Sequence, residues 1–109
     1  QLQQCVINLI FNAIDAMPQG GRLTLEAGAG DPPQTVAIRV QDTGPGIPVE
    51  HLSSIFEPFF TTKSEGHGLG LGLSTVYGIV ERHHGTVAAR NLEGGGALFV
   101  ITLPAAGPL

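Results

Sequence analysis

A chain of 109 residues has room for one domain with a single modest core, and a hydrophobic share of 42% argues against wholesale disorder. Five Lys and Arg against nine Asp and Glu leave a net charge of −4, the wrong sign for a surface that must neutralise nucleic-acid phosphates. A single cysteine, Cys5, excludes a disulfide framework. No stretch approaches the ~18 apolar residues of a membrane span, and no basic-then-apolar signal segment opens the chain, so no direct membrane contact is expected of this stretch; a cytoplasmic location is expected for it, whether the parent protein is membrane-anchored or soluble. The anomaly is glycine, at 16 positions about twice the usual ~7%, in a chain with only 13% charged residues. The glycines have no three-residue period, which excludes collagen.

The sequence begins without Met and inside a helical pattern, so a fragment of a longer protein is expected. Residues 1–17 place Leu2, Val6, Leu9, Ile10, Ala13 and Met17 at helical spacing, and Pro18-Gln19-Gly20-Gly21 ends the helix. Residues 22–29 alternate as a strand, Gly30-Asp31-Pro32-Pro33 turns the chain, and Thr35 to Gln41 alternates again, which predicts an antiparallel pair. Regular periodicity then lapses from Asp42 to Gly70, apart from a short helix expected around Glu50 to Phe56. Leu71 to His83 is helical, with Leu73, Val76, Ile79, Val80 and His83 on one face. Thr86 to Leu92 and Ala97 to Leu103 form a hairpin about Glu93-Gly94-Gly95-Gly96. The order predicts an α+β two-layer sandwich over residues 1–104, with 105–109 as a tail or linker.

Four features carry chemistry. On the first helix Gln4, Asn8, Asn12 and Asp15 are expected to stack on one face opposite the apolar stripe, where a solvent-facing helix would ordinarily present Lys, Glu and Arg. Such amides either bond a neighbouring loop or offer hard oxygens to a Mg²⁺ shell. Asp42-Thr43-Gly44-Pro45-Gly46-Ile47-Pro48 follows an inward-pointing strand. It is either a capped turn or a place where a buried amine meets the Asp and a planar ring approaches bare backbone. Gly66-His67-Gly68-Leu69-Gly70-Leu71-Gly72 runs into the second helix, as a hinge or as a phosphate cradle at the positive end of the helix dipole. It is neither a Walker A loop nor a Rossmann fingerprint. Lys63, the only lysine, lies between the two loops, either solvated or reaching a phosphate.

Four segments in this order resemble the catalytic ATP-binding domain of bacterial sensor histidine kinases, within the gyrase/heat-shock-chaperone/MutL ATPase superfamily. Asn8-Leu9-Ile10-Phe11-Asn12-Ala13-Ile14-Asp15-Ala16 is similar to the N box, and Asp42-Thr43-Gly44-Pro45-Gly46-Ile47 to the first glycine box. Phe56-Glu57-Pro58-Phe59-Phe60-Thr61-Thr62-Lys63 is similar to the F box, and Gly68-Leu69-Gly70-Leu71-Gly72-Leu73-Ser74 to the second glycine box. Ser74-Thr75-Val76-Tyr77-Gly78-Ile79-Val80 looks like the nitrogen-regulation-type subfamily.

The resemblance implies a Bergerat-type sandwich, with a mixed, mostly antiparallel sheet and an ATP lid over residues 57–69. It implies ATP and Mg²⁺ as cofactors, with Asn12 on the metal, Asn8 lining the pocket and Asp42 accepting from the adenine amino group. Gly44 and Gly46 would let the purine lie against backbone, with Ile47 beside them. Lys63 or His67 would touch phosphate, and Gly68, Leu69, Gly70, Leu71 and Gly72 would surround it. Phe56 and Phe59 would dock the lid, face a partner domain or fill the core. Asp15 stands where many relatives carry Lys or Arg, and Leu69 where Thr is common, which changes the phosphate contacts.

Hydrolytic relatives hold a water-activating Glu at the place of Asn8; an amide cannot be that base, so phosphotransfer is expected over hydrolysis. The acceptor of such a kinase is a histidine on a separate dimerisation domain. None of His51, His67, His83 and His84 sits in an acceptor-like context, so that domain and a response regulator are the expected partners. A serine kinase of the anti-sigma type and a nucleotide-binding scaffold without catalysis are the alternatives.

Overall fold

Helix α1, Leu2–Asp15, forms because apolar residues recur each turn: Cys5, Leu9 and Ala13 are buried and Leu2, Val6 and Ile10 half-buried. The structure, a computed structural model, describes residues 2–30, 32–57 and 69–105. Cys5 belongs to the apolar stripe as fully as Leu9, a position the helical pattern of Leu2, Val6, Leu9, Ile10, Ala13 and Met17 does not include. The far side of α1 is apolar too, with Ile7, Phe11 and Ile14 exposed.

Strands β1 (Leu23–Ala29), β2 (Thr35–Asp42), β3 (Thr86–Asn91) and β4 (Ala97–Pro104) form one sheet in the order β1-β2-β4-β3. Every pairing among the described strands is antiparallel, in line with the mostly antiparallel sheet expected, and no parallel pair occurs among them. In register, Val40 faces Phe99 and Ile38 faces Ile101, which puts four apolar side chains on one side of the two central strands. Helix α2, Leu69–Arg82, lays Leu73, Val76, Ile79 and Val80 on that side beside α1. Burying side chains such as Leu9, Ile101 and Val76 stabilises the sandwich by about 1.5–3 kcal/mol each.

Two boundaries differ from the sequence reading. The short helix expected over 50–56 is a single 3-10 turn, Val49–His51, continued by turns. Its bonds run three residues back, from Leu52 N–H to Val49, Ser54 N–H to His51 and Glu57 N–H to Ser54. That tighter winding brings Ile55 into the core. Helix α2 starts at Leu69 rather than Leu71, so Gly70 and Gly72 lie inside its first turn. Two glycines there cost about 1 kcal/mol each in propensity, offset by the buried apolar face that follows.

Candidate functional site

Helix α1 joins the two glycine segments. Near its start, the Gln4 side-chain amide donates to Asn8 Oδ1 (2.8 Å), and Asn8 Nδ2 donates to the carbonyl of Gly72 (3.3 Å). The polar stripe therefore lies toward α2, beside the buried stripe rather than opposite it. Beyond its last turn, the Ala16 carbonyl lies so close to Gly44 that a Cβ there would come within 2.9 Å of it. Asn12, half-buried, sits one turn beyond Asn8 on the same face, and Asp15, also half-buried, follows.

The first turn of α2 supplies backbone N–H groups without partners inside the helix, at the positive end of its dipole. Leu69, Gly70, Leu71 and Gly72 make up that turn. Gly68, His67 and Lys63, expected to act with them, lie outside the described residues, as do Phe59 and almost all of the expected lid. Phe56 is half-buried, its ring edge-on to Phe99 (centroids 6.1 Å apart, planes at 89°) and tilted against exposed Tyr77 at 6.3 Å. It serves the core and the surface together.

Asp42 ends β2 and is 3% exposed, the one buried charged or polar residue among those described. Burying a carboxylate is costly unless donors surround it. Here Oδ1 accepts from the N–H of Gly44 (2.8 Å) and the N–H of Ala97 (3.3 Å). The first bond folds the chain back just after the strand; the second comes from the start of β4, so two elements orient one carboxyl.

The segment after Asp42 is fastened throughout. Thr43 Oγ1 accepts from the Arg22 N–H at 2.9 Å. Gly46 takes φ +86°, a conformation that side-chain-bearing residues rarely adopt. Asn91, the last residue of β3, binds Ile47 twice: its Oδ1 accepts from the Ile47 N–H (2.6 Å) and its Nδ2 donates to the Ile47 carbonyl (2.7 Å). Gly96, at φ +98°, lies flat against the backbone of Asp42, where a Cβ would collide with the Asp42 carbonyl oxygen.

Asn91 and Gly96 were not among the residues singled out from sequence. Asn91 reads there as an ordinary polar strand end, and Gly96 as one of three equivalent turn glycines. The one available signal was that Asn91 and Ala97 bound a short hairpin whose turn is all glycine after Glu93. His83, on the apolar face expected of it, half-buries its ring with Nδ1 on the Ile79 carbonyl (2.9 Å).

Residues 1–107 match the family described as histidine kinase-, DNA gyrase B-, and HSP90-like ATPase. The chain is 46% identical, over 95% of its length, to the sensor kinase CckA of Brucella abortus (strain 2308), of which it spans 12%. Among solved structures it is similar to full-length ShkA in complex with AMPPNP, with 35% identity, a TM-score of 0.81, and coverage of 99% of this chain and 23% of that one. It is similar also to the histidine kinase ThkA in complex with the response regulator protein TrrA, with 33% identity, a TM-score of 0.78, and coverage of 97% and 29%.

Proposed function

We propose that this chain, which belongs to the histidine kinase-, DNA gyrase B-, and HSP90-like ATPase family, binds ATP with Mg²⁺ and donates the γ-phosphoryl group to a histidine on a separate helical domain. The observation that carries the reading is Asp42, a buried carboxylate at a strand end with Oδ1 held by two backbone N–H groups. Fixed in that way, Asp42 would accept from the exocyclic amine of adenine through Oδ2, while Gly44, Gly46 and Ile47 offer backbone to the ring. The likeness to a kinase solved with AMPPNP supports the nucleotide, and the likeness to one solved with a response regulator supports a phosphorelay partner.

The phosphates would meet the first turn of α2, where Gly70 and Gly72 leave the N–H groups approachable. Asn12 is an amide oxygen on the α1 face that leads to this turn, a donor type suited to Mg²⁺. Among the described residues no three His, Cys, Asp or Glu side chains group as a metal site, so phosphate and water would supply the other oxygens. When bound, the ion would neutralise charge on the phosphates. The chain's own residues bind and orient, the contribution that dominates phosphoryl transfer.

Asn8 cannot take a proton from water, and its two amide atoms are committed to Gln4 and Gly72, which favours transfer over hydrolysis. Asp15 and Leu69 would flank the phosphates, and Leu71 would lie beside them. Among the described residues no helix is long and apolar enough to cross a membrane, in keeping with a cytoplasmic catalytic domain.

Titrating the 109-residue chain with ADP in the presence and absence of Mg²⁺ tests the reading. Binding is expected to depend on Mg²⁺ and to fall at least about tenfold in Asp42→Asn, which keeps an acceptor for the Gly44 and Ala97 N–H groups but turns a donor toward the adenine amine. A chain that binds no ADP, or an Asp42→Asn variant that binds it unchanged, would sink the proposal. Label passing from ATP to a serine rather than to a supplied helical histidine domain would select the serine-kinase alternative.

A further inference from the structure

The segment 42–47 is held at both ends by a single rung of the β3–β4 hairpin. Asn91 and Ala97 are register partners at the turn end of that ladder. The Ala97 N–H bonds Asp42 at the start of the segment, and the Asn91 side chain bonds Ile47 at its finish. The bonds at Ile47 are short, and together they satisfy both backbone groups of one residue across 44 positions of sequence.

Ile47 needs that external hold because it follows Gly46. At φ +86° glycine sits in a basin it can leave readily, and with no Cβ little steric restraint fixes the plane of the peptide joining Gly46 to Ile47. A side-chain amide, with one donor and one acceptor in fixed geometry, matches the N–H and C=O of a single residue and so determines that plane. Asn91 is exposed, and its amide geometry accounts for its place beside Ile47.

We infer that Asn91 is a positioning residue for the nucleotide. By clamping Ile47 it holds the 44–47 backbone at a fixed height beside the Asp42 carboxyl, so that base and carboxyl are met together. The inference rests on the adenine reading of this loop given above. Asn91 itself touches no nucleotide in this scheme; it acts through Ile47 and Gly46. Loss of the clamp should therefore weaken recognition of the base more than it weakens the fold.

The test compares the 109-residue chain with Asn91→Ala and Asn91→Asp, measuring Mg²⁺-dependent affinity for ADP and for GDP alongside the melting temperature. Asp is close in shape and keeps the acceptor for the Ile47 N–H, but when ionised it presents an oxygen to the Ile47 carbonyl in place of a donor. Both variants are expected to remain folded at the assay temperature and to bind ADP about tenfold more weakly, the factor expected when one or two such bonds are lost. The preference for ADP over GDP should shrink with them. If either folded variant keeps wild-type ADP affinity and base preference, the inference is overturned. The same holds if ADP and GDP weaken equally. If the wild-type chain itself binds no ADP, the adenine reading has failed, and the inference falls with it for that separate reason.

Discussion

Replacing Gly96 by Ala should be far more damaging than replacing Gly94 two residues earlier, although both are turn glycines with similar positive φ, +98° and +87°. At Gly94 nothing lies within 4 Å of the added methyl, so the cost is backbone strain, about 1 kcal/mol at the lower end of the usual range. At Gly96 the methyl would meet the carbonyl oxygen of Asp42 and come within 3.2 Å of the Thr43 Cα, backbone atoms that cannot swing aside as a side chain can. Strain of about 1–3 kcal/mol then combines with an overpacking cost of about 1–3 kcal/mol, or roughly 2–6 in all. Against the 5–15 kcal/mol of an ordinary domain that is a large fraction. At about 4–8 °C per kcal/mol for a domain near this size, Gly96→Ala should melt at least ~8 °C below wild type, and Gly94→Ala within about 8 °C of it. Circular dichroism melts of the three proteins decide the matter. Because the hairpin would move away from Asp42 and Ile47, Gly96→Ala should also weaken ADP binding while Gly94→Ala should not. If the two variants melt within about 2 °C of each other, the proposed contact between turn and strand end does not govern stability.

Leu9→Ala removes a fully buried side chain from the α1 stripe and should lower the unfolding free energy by about 2–5 kcal/mol, seen as a lower urea midpoint with an unchanged slope. Burial pushes the Cys5 thiol above its ordinary value near 9.0, so the folded state holds the proton to higher pH than the unfolded chain does. Its contribution to stability is thus complete below about pH 9 and is lost as pH rises through the folded value. Unfolding free energies of wild type and Cys5→Ala, measured from pH 7 to 10.5, should converge at the alkaline end. A gap that stays constant would show that Cys5 does not titrate this way.

The strands were legible where side chains alternate, most clearly in β3. Val87 and Ala89 pack inward while Thr86, Ala88 and Arg90 face solvent, and that period of two survives any uncertainty about pairing. The helical stripes were legible for the same reason. The candidate site was legible where its chemistry is local, in Asp42 with its glycines and in the amides of α1. What could not be seen is what tertiary contact decides. The direction of Asn8 depends on where the start of α2 falls, and the start of α2 depends on packing that outweighs the poor helix propensity of Gly70 and Gly72. Asn91 and Gly96 matter because the hairpin happens to lie against the end of β2, a relation between positions more than 40 residues apart. The tight turns at 49–57 defeated helical reckoning because their bonds skip three residues rather than four.

The central position of β4 has a consequence for how such a chain can be made. With the order β1-β2-β4-β3, the strand between β2 and β3 is the last of the four to leave a ribosome. Until it emerges, the β1–β2 hairpin has an open side and β3 has no neighbour. Asp42 also lacks the Ala97 N–H that orients it. Nascent chains halted before Ala97 should consequently be prey to proteases and unable to hold nucleotide, however complete their helices. Ligand binding then certifies that synthesis has reached the end of the sheet.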